Sequence, residues 1–147
     1  MQPAMTFKQR LALRAYTFAL RLLLPAILLR YWLRGRKEPG YRVAMRERLG
    51  LGPQVEPGSI WVHAVSLGET RAASALIDAL RLRRPEMRLL LTHGTATGRE
   101  AGQALMRNGD RQSWLPLDTP GAVRRFLQRA RPAIGVLMET EIGRAHV

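Results

Sequence analysis

The sequence predicts an α/β fold with a parallel sheet, preceded by a basic helix that associates with a membrane. From Ser59 onward, short apolar runs typical of buried strands alternate with segments whose apolar residues recur at helical spacing. Alternation at these lengths implies right-handed strand–helix–strand crossovers, and therefore a parallel sheet. Residues 1 to 48 contain 11 Lys and Arg against two acids, which is +9 of the net charge of +13. The predicted units are a helix with its basic flank (1–40), a connector (41–58) and an α/β domain (59–141).

The amino-terminal segment is predicted to be a helix at a membrane surface. Residues 15 to 29 are apolar apart from Thr17 and Arg21, whereas a spanning helix needs about 20 largely apolar residues. We favour a helix that lies in the cytoplasmic face of the membrane, kinked or loosened at Pro25, with its cations among anionic headgroups. A short single span with a basic cytoplasmic flank is the alternative, and both put the following domain on the cytoplasmic side. The predicted membrane-contacting residues are Arg14, Arg21, Arg30, Trp32, Arg34, Arg36 and Lys37.

The first strand and helix of the α/β domain form the most informative segment. The connector contains a short basic helix, residues 42 to 49, closed by Gly50, and a strand is predicted from Ser59 to Val65. The chain then turns at residues 66 to 68 into a helix. Ser66 can cap this helix with Glu69 completing a capping box, or Glu69 can be a catalytic carboxylate at the mouth of a cleft. One glutamate can do both.

Three further strands follow, each separated by a helix. We predict strands at residues 88 to 92, 114 to 117 and 133 to 138, the second at an edge or strand end because of Pro116. Helices are predicted to begin at a capping box formed by Thr97 and Glu100, and at Thr119-Pro120. The residues that follow the four strands should share one rim of the sheet; they are Glu69, residues 93 to 97, Asp118 and Glu139.

Several motifs in order resemble one enzyme family. They are Trp61-Val-His-Ala-Val-Ser-Leu-Gly-Glu-Thr70, Arg34-Gly-Arg-Lys-Glu-Pro-Gly-Tyr-Arg42, Glu47-Arg-Leu-Gly50, Thr95-Ala-Thr-Gly98, Leu115-Pro-Leu-Asp118, Val123-Arg-Arg-Phe126 and Val136-Leu-Met-Glu-Thr-Glu141. Together they resemble the 3-deoxy-D-manno-octulosonic acid (Kdo) transferases, membrane-associated bacterial glycosyltransferases, over about residues 10 to 141. The resemblance implies that this chain is the amino-terminal, Rossmann-like half of a two-Rossmann-domain (GT-B type) enzyme.

The same resemblance implies the chemistry and the site. The family moves Kdo from CMP-Kdo to the lipid A precursor, lipid IVA, with inversion at the anomeric carbon, at the cytoplasmic face of the inner membrane. It implies that Glu69 is the general base and that Glu139 has an active-site role. Ser66 and Gly68 would shape the turn, and Thr95 and Thr97 would line the acceptor side. No cofactor is implied, and the donor would bind mainly to a carboxyl-terminal domain.

Two departures from the family pattern stand out. Family members usually have proline where this chain has Ala96. They continue with Trp-Pro-Asn after residue 141, whereas this chain reads Ile142-Gly-Arg-Ala-His-Val147. We expect residues 142–147 to be sequencing-adapter read-through, and the fragment to be inactive alone. A native stop codon after Val147 in the genomic DNA would contradict the first expectation.

Composition leaves two other classes of function open. A pI near 11.7 suggests a nucleic-acid-binding module, but no nucleic-acid motif accompanies the charge, so we predict no such partner. A non-catalytic, membrane-anchored Rossmann scaffold is the other alternative. The chain has no cysteine, and its three histidines lack ligand spacing, so no metal site is predicted. We expect His63 to be a hydrogen-bonded core residue, and Arg81, Arg83 and Arg84 to be charges that complement a helix end. We favour a solvated helix face for Arg124 and Arg125 over a role in binding lipid A phosphates.

Overall fold

The described chain begins with one long helix. The computed structural model describes residues 6–138, and helix α1 runs from Phe7 to Arg34. Thr6 caps it through a capping box with Gln9. The helix is continuous through Pro25, and none of its residues is buried.

Helix α1 is long and apolar enough to cross a membrane, because its best 18-residue window has a mean hydropathy of 1.6. Signal sequences and helices in the cores of soluble proteins reach the same value, so hydropathy alone does not choose between a span and a surface helix. The helix extends beyond the apolar run at both ends, and its 28 residues are about 42 Å long.

The connector contains two short 3₁₀ helices, Pro39–Arg42 and Met45–Leu49, in place of the single helix predicted for residues 42 to 49. The reason is Ala44, which adopts a left-handed conformation (φ 49°) between them and interrupts the helical path. Gly50, also left-handed at φ 78°, ends the second helix as predicted.

The α/β prediction is confirmed. Four strands, β1 (Ile60–Ala64), β2 (Leu89–His93), β3 (Arg111–Trp114) and β4 (Ile134–Met138), form one sheet in the order β3-β2-β1-β4. All three neighbouring pairs are parallel. The crossover helices are α2 (Leu67–Arg83), α3 (Ala96–Gln103) and α4 (Pro120–Ala130).

Helices cover both faces of the sheet. Alternate strand residues, Val62 and Leu91 among them, pack with Ala73 and Ile77 of α2 on one face. On the other face, Leu90 packs with Phe126 and Ala130 of α4. This alternation fixes which side chains point toward each helical layer, and it leaves the strand ends to form the rim.

Two element boundaries differ from the predictions. Helix α3 is capped by Thr95, whose hydroxyl accepts from the N–H of Gly98, and not by Thr97. Strand β3 ends at Trp114 and does not begin there. Beyond it, the N–H of Leu117 donates to the carbonyl of Arg48 in the connector, so residues 115 to 117 leave the sheet.

A buried ion pair fastens α2 to the loop before β3. Arg81 donates to Asp110 at 2.5 Å, and their side chains are only 5% and 2% exposed. Asp110 also accepts from the N–H groups of Leu89 and Arg107. Arg81 was predicted to be a charge at a helix end; it is instead a buried partner of Asp110, because a fully hydrogen-bonded carboxylate compensates its desolvation.

Candidate active site at the rim of the sheet

The rim has a switch point between β1 and β4. The chain proceeds outward from β1 to β2 to β3, then returns through α4 to add β4 on the other side of β1. Open α/β sheets bind their ligands outside the carboxyl ends of the strands at such a point. Ala64 pairs with Met138, so the two strands end level. Glu69 follows the first of them, in the opening turn of α2. Glu139 lies outside the described residues.

Glu69 is half-buried and held by the backbone. Ser66 caps α2 and accepts from the N–H of Glu69 at 3.4 Å, as predicted. The Glu69 carboxylate does not return to the N–H of Ser66, as a capping box requires; its Oε2 accepts instead from the N–H of Val65 at 2.6 Å. Within residues 6–138, its Oε1 has no hydrogen-bond partner. One carboxylate oxygen is therefore fixed and the other is open.

The loop after β2 is tied to the same peptide. The carbonyl of Val65 accepts from the N–H groups of Gly94 and Thr95 and from the Thr95 hydroxyl, all at 3.0–3.1 Å. Gly98 lies so near that a Cβ atom there would be 3.1 Å from the carbonyl carbon of Ser66. The structure thus brings together three of the predicted site residues, Ser66, Gly68 and Thr95, around the turn that carries Glu69.

Gly68 and Thr97 are both exposed. A Cβ atom on Gly68 would meet only the Ser66 hydroxyl, at 4.0 Å. The prediction that Gly68 shapes the turn therefore finds no steric support. The missing side chain instead leaves open space above the first turn of α2. Thr97 lies in the first turn of α3, and Thr95 caps that helix in its place.

The predicted membrane-contacting residues share one property: all are exposed. They are Arg14, Arg21, Arg30, Trp32, Arg34, Arg36 and Lys37. At the carboxyl end of α1, Arg36 and Arg42 stack on the Trp32 ring at 5.3 and 4.5 Å. The result is an exposed basic and aromatic end of the helix. Near the other end, the hydroxyl of Tyr16 donates to Asp118 on the rim, at 3.1 Å.

Comparison with known proteins identifies the family. The model of the 3-deoxy-D-manno-octulosonic-acid transferase (Kdo transferase) family matches residues 43–144. The chain belongs to this family. It is 47% identical over 137 residues to the 3-deoxy-D-manno-octulosonic acid transferase of Bordetella pertussis, covering 86% of this chain and 32% of the relative. It is 34% identical to the 3-deoxy-D-manno-octulosonic acid transferase of Haemophilus influenzae, covering 86% of this chain and 30% of that relative. The chain thus spans about a third of the length of these relatives. No solved structure matches significantly.

The family match places Glu69 and the rim in the region that Kdo transferases share, while α1 precedes it. The family prediction is confirmed. Among residues 6–138, no group of His, Asp and Glu has the arrangement of a metal site.

Sequence reasoning missed the buried His93 and its two polar partners behind the rim. His93, at the end of β2, contacts the Thr70 hydroxyl at 3.5 Å and the Gln112 amide at 2.9 Å. The Gln112 amide nitrogen donates to His93 Nε2, so the ring proton lies on Nδ1. Burial, together with the nearby Arg99 guanidinium, lowers the pKa of His93 to about 4. The imidazole is neutral at pH 7 and packs between the first turn of α2, at Thr70, and the last turn of α3, at Gly102. His63, as predicted, is buried and bonded, to Thr92 at 2.9 Å.

It also missed an aromatic cluster that joins α1 to the domain. The Arg48 guanidinium lies 3.8 Å from the ring centre of Tyr31 and 4.0 Å from that of Trp114. Tyr41 stacks on both rings, at 6.0 and 5.9 Å. Burial lowers the pKa of Arg48, and the ring faces replace part of the lost hydration. Beside the cluster, Glu47 accepts from Arg99 and from the N–H of Trp114. These contacts fix the carboxyl-terminal end of α1 to β3.

Proposed function

We propose that this chain is the amino-terminal, acceptor-side domain of a GT-B type Kdo transferase. The complete enzyme would move Kdo from CMP-Kdo to the lipid A precursor, lipid IVA, at the cytoplasmic face of the bacterial inner membrane. The observation that carries the proposal is the Glu69 carboxylate, half-buried at the carboxyl end of β1, with one oxygen that has no partner among the described residues. The strand order β3-β2-β1-β4 supports the fold assignment, because it is the order found in half of a Rossmann domain together with its first switch-point strand.

Glu69 acts as the general base of an inverting transfer. The acceptor hydroxyl oxygen attacks the anomeric carbon of Kdo, and its proton passes to the carboxylate. The bond between the anomeric carbon and the phosphate oxygen breaks, and CMP leaves with the bonding electrons. A phosphate leaving group needs no strong acid, so one positioned base suffices. The hydrogen bond from Val65 holds Oε2 and leaves Oε1 to receive the proton.

The remaining site residues have supporting roles in this proposal. Ser66 fixes the start of α2, Gly68 leaves room for the acceptor above it, and Thr95 and Thr97 line the acceptor side of the rim. Glu139 has an active-site role on the β4 side of the switch point. A carboxyl-terminal domain holds most of the donor, and no cofactor takes part.

The membrane helix lies in the interface and does not cross the bilayer. Tyr16 and Tyr31 are 15 residues apart, about 22 Å along a helix. Tyr16 donates to Asp118 while Tyr31 stacks on Tyr41, so α1 contacts the α/β domain at one point and the connector at another. A spanning helix would carry Tyr16 into hydrocarbon, where the Asp118 carboxylate would not follow. The two contacts therefore support a helix parallel to the surface.

Depth measurements test this orientation. The chain has no cysteine, so single cysteines at positions 15 to 29 can each carry a nitroxide in vesicles that contain anionic lipid. A surface helix gives depths that oscillate with a period of about 3.6 residues. A single deep minimum near the middle of the segment would instead mean that the helix spans.

The activity itself is tested on the full-length parent. With CMP-Kdo and lipid IVA it should form a glycolipid whose anomeric configuration, read by NMR, is opposite to that of the donor. The 147-residue chain should give no product. A retained configuration, or transfer by the short chain, would contradict the proposal.

A further inference from the structure

A cavity lies between helix α3 and residues 38–43, which follow α1. Its volume is about 480 Å³, within the usual range of small-molecule sites. Glu38, Gly40 and Val43 line one side, and Thr97, Glu100 and Gln103 line the other. The general-base chemistry does not account for this space.

Helix α3 connects the cavity to the turn that carries Glu69. On one side, Glu38 forms a 3.2 Å ion pair with Arg34 at the end of α1. On the other side, the first turn of α3 abuts the backbone of Ser66, at Gly98.

The walls of the cavity are preformed. Gly40 is so close to α3 that a Cβ atom there would be 2.9 Å from the Cβ of Ala96. The carbonyl of Val43 accepts from the indole N–H of Trp114 at 2.7 Å. Arg99, also in the lining, is held by Glu47 at 2.5 Å. A preformed site avoids the free-energy cost of ordering its walls when a ligand binds.

One wall carries unused polar groups. Thr97, Glu100 and Gln103 follow each other at intervals of three along α3 and face the cavity. In the part of the chain from 6 to 138, none of their side chains makes a hydrogen bond. A hydroxyl, a carboxylate and an amide together offer the donors and acceptors that match hydroxyl groups.

The charges of the lining argue against an anion. Glu38 is paired with Arg34 and Arg99 with Glu47, so among residues 6–138 Glu100 is the one charged residue of the lining without an ion pair. A phosphate would therefore meet uncompensated negative charge. We propose that this cavity binds the uncharged, hydroxyl-bearing part of a sugar headgroup. Its assignment to the acceptor lipid rests on the function proposed above.

Direct binding tests the cavity without any transfer reaction. The full chain, isotope-labelled in lipid nanodiscs, is titrated with the unphosphorylated β-1,6-linked glucosamine disaccharide and, separately, with inorganic phosphate. The disaccharide should shift the amide resonances of α3 and of residues 39 to 43, and phosphate should not. No shift with the disaccharide, or a stronger effect of phosphate at the same resonances, would overturn the proposal.

Matched variants locate the binding. Glu100→Gln with Gln103→Leu should weaken disaccharide binding at least fivefold, whereas Glu86→Gln with Gln128→Leu, on other exposed helix or loop surfaces, should not. All four positions are exposed, and equal melting temperatures check that the variants fold. Equal affinity in the two double variants would overturn the proposal. In the full-length parent, the cavity pair should raise the acceptor KM more than it lowers kcat. A wild-type parent without transfer would instead refute the proposed function and leave the binding result standing.

Discussion

The backbone N–H of Val65 donates to Oε2 of Glu69 at 2.6 Å, while the carbonyl of Val65 binds the loop that follows β2. One residue therefore joins the carboxylate to the neighbouring strand loop. The position of Glu69 depends on how closely α2 and α3 begin beside each other, and a change in that approach should alter the site before it alters the sheet.

Substitutions at two glycines test the close contact between the starts of α2 and α3. Gly98→Ala should lower the free energy of unfolding by about 1–3 kcal/mol, because its Cβ would lie 3.1 Å from the Ser66 carbonyl carbon and the α3 turn must shift. Gly68→Ala should be neutral or stabilising by up to about 1 kcal/mol, since its Cβ meets nothing nearer than 4.0 Å. Urea unfolding of the two variants measures the difference. Equal losses would show that the close contact at Gly98 does not hold the turn.

The buried ion pair gives a second prediction. Asp110→Asn should destabilise the fold by about 3–5 kcal/mol, because it leaves the Arg81 charge buried without its partner. Glu56→Gln is the matched control, because it breaks an exposed ion pair with Arg88. The Glu56 side chain is 77% exposed and that of Arg88 is 44% exposed, so this substitution should lower the free energy of unfolding by less than about 0.5 kcal/mol. Chemical denaturation compares them. A small loss at Asp110 would mean that water reaches Arg81.

The histidine behind the rim predicts a dependence of stability on pH. The pKa of His93 is lowered from 6.5 to about 4 in the folded chain. Between these values the unfolded chain binds a proton that the folded chain does not, so stability falls as pH decreases from 6.5 toward 4. The full loss in the free energy of unfolding is about 3 kcal/mol, because each unit of difference in pKa contributes about 1.4 kcal/mol. Above pH 6.5 this contribution is constant.

Two measurements check the histidine. NMR titration should place the His93 ring pKa well below 5, and the unfolding midpoint of the wild type should fall over this pH range more steeply than that of His93→Gln. A ring that titrates near 6.5 would show that His93 is solvated and does not position α2 and α3.

The predictions from sequence succeeded where local pattern decides the structure. The β1–α2 turn and the Ser66 cap follow from short-range spacing, and both are confirmed. They failed where distant residues decide. Thr95 and Thr97 can each cap a helix, and Thr95 does so because its hydroxyl also donates to Val65, 30 residues away. The spacing of the two threonines could not show this.

The aromatic cluster could not be predicted from the sequence for the same reason. Arg48 is held between rings from α1 and β3, which lie far apart in the chain. In the sequence it is one of many basic residues near the amino-terminal end. A single buried arginine among exposed ones has no local signature, so only the fold separates it from the membrane-facing cations.

The central claim is that Glu69 accepts the proton of the acceptor hydroxyl. Glu69→Gln in the full-length parent keeps an oxygen that can accept from Val65 but removes the base. The account predicts that kcat falls at least about 100-fold, while the melting temperature and flotation with vesicles stay at wild-type values. A Glu69→Gln enzyme that transfers Kdo at the wild-type rate would contradict it.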